Sequence, residues 1–362
     1  MTGELWWRRL VNSARFLDDL KDTLADDKSV LLLFDTDIPW LDIMTETLEQ
    51  KLADANDNRT FDVLDVSKAD DPGSYLMKRY CSKEEQKKYW PTTHGSPEKF
   101  LAQNKVTPLN KRYVCLTDIK PDDAFKWASS VVEYLENCED VHEHGVFIII
   151  LDGMNVPGSK HLTTFRYNDY VTDYDCMMLC LTLVSDLKCS RAEKMYLCEV
   201  ASNIAHNNVE LAAMLASRRT NLIQNPYNVS AKVFEENEVK VTNLKERVRM
   251  AVWEAQIKLV FPKIENFRAD LIRKYESKIS RFLPIKSSNN DVVDKATDLE
   301  IGQLYFICRS QKIIDLPEFE MLKKMRDARN TLAHWEALSY DCCLPRKTQK
   351  VGNHGISRNK AE

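Results

Sequence analysis

A long apolar stripe at helical spacing runs through the C-terminal third of this chain. Its members are Met250, Trp253, Ile257, Val260, Ile264, Phe267, Leu271, Tyr275 and Ile279. Intervals of three and four residues place side chains on one face of an α-helix, so the stripe predicts a long helix that begins at Leu244. Pro262 lies inside the pattern and is expected to kink or split this helix.

Two shorter helical patterns follow the stripe, at residues 299–308 and 317–338. Pro317 opens the second of them, and Glu318 and Glu320 lie in its first turn, where the helix dipole favours acidic side chains. The sequence therefore predicts an all-α domain over residues 244–345. The basic tail at 346–362 contains few apolar residues and is expected to be disordered.

The first half of the chain has an α/β pattern. Short apolar runs at residues 30–34, 61–66, 113–119 and 146–151 alternate with helical stretches, notably 122–137. Strands separated by helices predict a mostly parallel sheet that is covered on both faces. A fifth apolar run, 176–183, fits a strand and a buried helix equally well. The predicted organisation is an α/β domain at 1–184, a small helical subdomain at 185–220 and a linker at 221–243.

Composition excludes several classes of protein and of site. The 9 glycines among 362 residues argue against a glycine-rich phosphate loop, and the 10 cysteines form no CxxC pair. We therefore expect no metal site and no cofactor. No apolar run approaches the ~18 residues of a membrane span, and the first residues lack the layout of a signal peptide. These features predict a cytoplasmic protein without a membrane partner.

Charge is distributed unevenly along the chain. Residues 231–362 hold 25 Lys and Arg against 19 Asp and Glu, whereas residues 1–230 hold 26 against 36. A basic C-terminal part is compatible with a nucleic-acid-binding surface. A solvated, lysine-rich helix face explains the same count equally well.

Arg329 occupies an unusual position in the last predicted helix. Helical spacing places it on the same stripe as Leu322, Met325 and Leu332. An arginine on a buried stripe requires a partner. Two explanations are open: Arg329 pairs with an acid such as Glu300 or Asp298, or it faces a subunit interface that holds an anion.

Three other polar side chains lie near Arg329 at one end of the same helix. Asn330 and His334 are four residues apart and therefore share a face, and Arg326 extends this row by another turn. Arg329, Asn330 and His334 are thus expected to converge at this end.

The segment RNTLAH at residues 329–334 resembles the motif of HEPN-type ribonucleases. In that motif an arginine with a polar residue directly after it precedes a histidine by five positions, within a helix of a small bundle. The surrounding segments LEIGQLYFIC and EFEMLKKMRDARNTLAHWEALS also resemble HEPN modules of prokaryotic defence and toxin proteins. The resemblance covers residues 244–345.

The resemblance implies a metal-independent RNA endonuclease. His334 would act as general acid or base, Arg329 would hold the scissile phosphate, and Asn330 would orient the histidine or contact the substrate. Arg326 would contribute to substrate binding. Members of this family place the motifs of two subunits together, so a homodimer with a composite site is implied.

The predicted α/β domain resembles the core of P-loop ATPases, but it lacks their phosphate loop. The first strand leads into DTDIPW at residues 35–40, which contains neither the glycines nor the lysine of that loop. GMNVPGSK at 153–160 imitates the loop with its last two residues reversed. Asp118 and Asp152 follow strands, as expected for turn residues. We interpret the domain as a degenerate ATPase-like module that senses or docks a protein partner.

The sequence is compatible with two main functions and with a third that has less support. The first is an RNA endonuclease of a defence or toxin system, regulated through the α/β domain. The second is a catalytically inactive, dimeric scaffold, in which Arg329 forms an intramolecular ion pair. A third, an ATPase, would require nucleotide binding without the usual loop.

Overall fold

The computed structural model describes residues 2–35, 38–55, 58–139, 144–152, 158–206, 208–286 and 292–340. Its helices are α1 (Thr2–Arg9), α2 (Val11–Ala25), α3 (Leu41–Asp54), α4 (Pro72–Tyr80), α5 (Lys83–Gln86), α6 (Pro91–His94), α7 (Pro97–Gln103), α8 (Ala124–Glu136), α9 (Asp173–Leu183), α10 (Arg191–Ala205), α11 (Val209–Ser217), α12 (Thr220–Gln224), α13 (Pro226–Glu236), α14 (Leu244–Ile279), α15 (Ile301–Gln311) and α16 (Leu316–Ala333). Its strands are β1 (Ser29–Phe34), β2 (Thr60–Asp65), β3 (Arg112–Thr117), β4 (Val146–Asp152), β5 (Leu162–Arg166), β6 (Ile285–Lys286) and β7 (Val292–Val293).

The chain divides into two compact units. The α/β unit comprises the chain up to Leu183 together with residues 205–217, and the helical unit comprises residues 184–204 and the chain from Arg218 onward. Residues 185–220, predicted as one helical subdomain, are therefore shared between the two units. The predicted linker at 221–243 is largely helical, because it contains most of α12 and all of α13. Leu222, Ile223, Val233 and Phe234 are buried there.

The α/β unit is built on a parallel five-stranded sheet of order β2-β3-β4-β1-β5. Every residue of β1 is buried, as expected for a strand that is paired on both sides and covered on both faces. The predicted parallel sheet is thus confirmed, and its first four strands coincide with the predicted apolar runs. The fifth run instead forms α9, and β5 lies earlier in the chain.

Alternation along the strands separates two apolar layers. Leu31 and Leu33 of β1 belong to a core that α4, α7 and α8 complete with Leu76, Leu101 and Trp127. Successive strand residues point to opposite faces. Phe34 therefore reaches the other layer, where its ring lies 6.4 Å from that of Phe16 on α2.

The predicted long helix is confirmed as α14, which has 36 residues. Contrary to the prediction, the helix continues through Pro262, and the residue with non-helical dihedral angles is Tyr275 (φ −118°, ψ 17°). Tyr275 donates its hydroxyl to Glu318 of α16, and Lys274 also pairs with Glu318. The change in backbone dihedral angles near the C-terminal end of α14 thus lies where the helix contacts Glu318 of α16.

The last helix is shorter than predicted, because α16 ends at Ala333. It begins with Asp315, whose carboxylate accepts the backbone N–H of Glu318, and it buries Leu322 and Leu332. The predicted disordered tail lies outside the described residues. None of the described helices combines the length and the apolar character that a membrane crossing requires.

Candidate functional site

The RNTLAH motif lies at the C-terminal end of α16, in the helical unit. Helices α15 and α16 pack antiparallel, with Tyr305 stacked on Phe319 at 5.2 Å. This arrangement brings the last turn of α16 close to Glu300, which precedes α15. The side chain of Gln303 accepts the backbone N–H of Glu300 over 2.8 Å, which fixes the backbone at the beginning of α15.

Arg329 pairs with Glu300, which is one of the two acids expected from the sequence. The distance from Nη2 of Arg329 to Oε2 of Glu300 is 3.7 Å, and the two side chains are 39% and 73% exposed. Exposed pairs of this length contribute at most about 1 kcal/mol to stability. Arg329 is therefore held only weakly, and an anionic ligand can compete with Glu300 for its guanidinium group.

The side chains of Asn330 and His334 are exposed. The backbone N–H of His334 donates to the carbonyl oxygens of Asn330 and Thr331, which closes the last turn of the helix. Within the described parts of the chain, neither the amide of Asn330 nor the imidazole of His334 forms a hydrogen bond or an ion pair. Both side chains can therefore bind a ligand without breaking an internal contact.

The expected convergence of Arg329, Asn330 and His334 within one chain occurs only in part. Each helical residue turns by about 100°, so Asn330 and His334 leave the helix about 40° apart, whereas Arg329 and His334 leave it about 140° apart. No hydrogen bond joins Arg329 to either of the others in the described structure. Asn330 and His334 thus share a face, and Arg329 points toward Glu300.

Arg326, the residue expected to contribute to substrate binding, contacts Tyr305 and Asp327. Its guanidinium group lies 3.8 Å from the ring centre of Tyr305, and its Nε donates to Asp327 over 3.0 Å. The hydrogen bond to Asp327 raises the pKa of Arg326. One face of the guanidinium group is thus covered, and part of its donor set is already used.

Trp335 follows His334 directly, and its side chain is 58% exposed. Its ring is stacked on Trp253 of α14, with centroids 5.2 Å apart and planes inclined by 10°. The Nε1 of Trp253 donates to the carbonyl oxygen of Leu332 over 2.8 Å. In the sequence, only its position directly after His334 indicates that Trp335 lies beside the motif.

A buried glutamine anchors the segment that follows the motif. The side chain of Gln256 donates to the carbonyl oxygen of Leu338 and accepts the backbone N–H of the same residue, over 2.9 and 2.7 Å. It also donates to the hydroxyl of Tyr196. The backbone after His334 is therefore fixed against α14.

Cys308 of α15 is the buried thiol of the helix that packs against α16. Burial raises its pKa to about 11, so the thiol stays protonated and weakly nucleophilic at neutral pH. We expect iodoacetamide at pH 7 to leave Cys308 unmodified in the folded protein and to alkylate it after denaturation, as read by peptide mass mapping. Alkylation of the folded protein at the rate of a free thiol would contradict this prediction.

In the described part of the chain no three His, Cys, Asp or Glu side chains could together hold a metal ion.

In the α/β unit, a carboxylate occupies the place where a phosphate would be needed. The backbone N–H of Trp40, at the N-terminus of α3, donates to Glu210 of α11. The Nε1 of Trp7 donates to the carbonyl oxygen of Pro39 over 2.8 Å, and a Cβ on Gly3 would collide with Trp40. The helix N-terminus that follows β1 is thus occupied by a protein anion and covered by tryptophan side chains.

Asp118 and Asp152 are the two acids of this unit that the sequence predicts as turn residues after strands. Asp118 follows β3 directly and has a left-handed backbone (φ 57°), as in a turn. The side chain of Asp152 and residues 153–157 of the imitation phosphate loop lie outside the described residues.

We expect Mg-ATP to leave the melting temperature of the protein unchanged, because Glu210 already accepts the Trp40 N–H and would repel a phosphate. Differential scanning fluorimetry over a series of nucleotide concentrations measures this. The matched control variant is Glu210→Gln, which keeps a hydrogen-bond acceptor for the Trp40 N–H but removes the negative charge. A melting temperature that rises with ATP concentration in the native sequence would show that nucleotide binds in another mode.

A comparison of the sequence with protein-family models and with curated proteins gives no match.

Proposed function

We propose that this chain is a metal-independent RNA endonuclease of the HEPN type. The observation that carries the proposal is the state of His334 and Asn330 at the end of α16, whose exposed side chains form no hydrogen bond or ion pair with the described residues and lie within five positions of a weakly held arginine. A structural histidine is usually packed or hydrogen-bonded. An imidazole that is open to solvent, at the end of a helix that also carries an arginine, suits acid–base chemistry on a phosphodiester.

The chemistry requires a base for the ribose 2′-hydroxyl and a cation for the phosphoryl oxygens. His334 removes or returns the proton, and Arg329 binds the phosphate through its planar guanidinium group. Asn330, on the same face as His334, orients the imidazole or contacts the ribose. Attack by the 2′-oxygen forms a 2′,3′-cyclic phosphate and releases the 5′-hydroxyl of the next nucleotide, so no metal ion is needed.

The divergence of Arg329 and His334 within one chain supports a composite site. A second copy related by a two-fold axis presents its own Arg329 and His334 at the same seam. We therefore propose a homodimer through the helical unit, in which each phosphate is bound by residues of both chains. The α/β unit serves as the regulatory or docking part, as in an anti-phage defence or toxin system.

The test is cleavage of RNA by the purified full-length protein in the presence of EDTA. A labelled single-stranded RNA is expected to yield fragments with 2′,3′-cyclic phosphate ends, and expression of the native sequence is expected to be more toxic than expression of His334→Ala. Cleavage that requires added Mg²⁺, or cleavage that persists in the variants described below, would contradict the proposal.

A catalytically inactive, dimeric scaffold is the second candidate, and the ion pair between Arg329 and Glu300 favours it. In that case Arg329 only supports the packing of α15 against α16. A stable dimer without RNA cleavage, whether alone or after addition of cell extract from phage-infected bacteria, would favour the scaffold.

A further inference from the structure

Trp335 stands where the backbone usually carries glycine. Its φ of 64° is left-handed, and it occupies the position after the cap of α16. The N–H of Glu336 donates to Thr331 and that of Trp335 to Leu332, which is the paired hydrogen-bond pattern of a Schellman helix end. Bulky residues rarely adopt this conformation. An indole is therefore held at a backbone position that disfavours it.

Two residues of α14 contact Trp335, one at its indole and one at its backbone. Trp253 lies parallel to it at 5.2 Å, and Arg249 donates through Nη1 to the carbonyl oxygen of Trp335 over 2.5 Å. The side chain of Trp335 is nevertheless 58% exposed. Stacking on Trp253 covers one face of the indole and leaves an aromatic surface open to solvent beside His334.

The charges around the indole suit a polyanion that can displace one internal contact. Arg249 is exposed, and its guanidinium group is shared between the carboxylate of Glu246 and the carbonyl oxygen of Trp335. The hydrogen bonds to Glu246 raise the pKa of Arg249. A phosphate group competes with Glu246 for this cation at low energetic cost, because the pair is exposed.

We propose that Trp335 is a stacking surface for one unpaired nucleobase of an RNA strand, with Arg249 binding a neighbouring phosphate. The inference rests on the proposed function, because it places the stacked nucleotide next to the phosphodiester that His334 acts on. Bases in a duplex already stack on each other and are not available to an indole, whereas unpaired bases stack on exposed aromatic side chains. The proposal therefore gives the enzyme a preference for single strands.

Binding is measured in a His334→Ala background, so that the RNA stays intact. Anisotropy of a labelled 12-nucleotide single strand is compared with that of the same strand in a duplex. Trp335→Ala is expected to weaken binding of the single strand by about 5- to 150-fold, which is the range for loss of one base–aromatic stack. Trp335→Phe should retain most of the affinity, and Glu246→Gln should increase it by freeing Arg249.

Two further variants keep the test independent of folding. Trp335→Gly suits the left-handed backbone and should fold at least as well as the parent, yet bind as weakly as Trp335→Ala. Trp90→Ala removes a tryptophan that is 65% exposed in the α/β unit and should leave binding unchanged. Equal affinity of the parent and Trp335→Gly for the single strand would overturn the proposal, as would a loss of the same size for the duplex.

The failure of this proposal and that of the nuclease are distinguishable. If the native sequence cleaves RNA and Trp335→Gly binds and cleaves as well as it does, only the stacking surface is refuted. If the single strand binds through Trp335 but is never cleaved, the stacking surface stands and the nuclease is refuted. If the protein binds no RNA but binds a protein ligand, and if Trp335→Gly abolishes the binding of that ligand, the stacking proposal is refuted and the surface belongs to a protein partner.

Discussion

Replacement of His334 by alanine is expected to lower the rate of RNA cleavage by about 100- to 10,000-fold, the usual contribution of a positioned acid or base. The imidazole is exposed and forms no hydrogen bond with the described part of the protein, so folding should be unaffected. Cleavage of the labelled strand under single-turnover conditions measures the rate, and thermal unfolding verifies the fold. Asn330→Ala should have a smaller effect, because Asn330 orients rather than transfers a proton.

Glu300→Gln is the control that separates catalysis from packing at Arg329. If Arg329 binds the phosphate, Arg329→Ala abolishes cleavage, whereas Glu300→Gln preserves or increases it by releasing the guanidinium group. If the pair only supports α15 and α16, both variants behave alike, with a loss of at most about 1 kcal/mol of stability and the same cleavage rate. Identical rates in the native protein, Arg329→Ala and His334→Ala would contradict the proposed site.

The same two variants also test the composite site. A site that combines Arg329 of one chain with His334 of the other is inactive in either homodimer, but a mixed dimer retains one complete pair. Equal mixing after dissociation is therefore expected to restore roughly a quarter of the native activity, because half of the dimers are mixed and each has one of two sites. No restoration would show that both residues act within one chain.

The second large effect is expected in the aromatic layer of the α/β unit. Phe16 is fully buried, and its ring lies within 6.4 Å of the ring centres of Trp7, Phe34, Phe165, Tyr167 and Tyr170. Phe16→Ala removes these contacts and leaves a cavity, so we expect a loss of about 3–5 kcal/mol in the free energy of unfolding. Urea unfolding followed by circular dichroism measures the change.

Phe125 provides the matched control in the same unit, because it is 63% exposed on α8. Phe125→Ala should change the free energy of unfolding by no more than about 0.5 kcal/mol. Similar losses in both variants would indicate that the layer around Phe16 is not the stabilising core of this unit.

Sequence patterns predicted the elements whose apolar residues are numerous and closely spaced. Helix α14 and strands β1 to β4 form where the apolar stripe and the first four apolar runs predicted them. The predicted stripe is only part of the buried face of α14: Val260, Ile264, Leu271 and Ile279 are buried, but so are Val248, Ala251, Ala255, Gln256 and Ile272 outside the stripe. The sequence pattern did not predict β5, because this edge strand has exposed polar residues, Thr163, Thr164 and Arg166, and only two buried apolar ones. The apolar content of the 176–183 run did not distinguish a strand from a helix. In the structure this run belongs to α9, and its buried residues Cys176, Leu179 and Cys180 follow helical spacing.

The sequence by itself determined the parallel sheet, the long helix and the order of residues in the RNTLAH motif, because these depend on local spacing. Only the tertiary structure decided which groups meet across the fold. Arg329 finds Glu300 because α15 returns antiparallel to α16, and Glu210 reaches the N-terminus of α3 because α11 belongs to the α/β unit. Trp335 likewise keeps its left-handed backbone through contacts with α14, some 80 residues earlier in the chain. Such contacts join residues far apart in sequence, and their energies depend on packing that no local pattern contains.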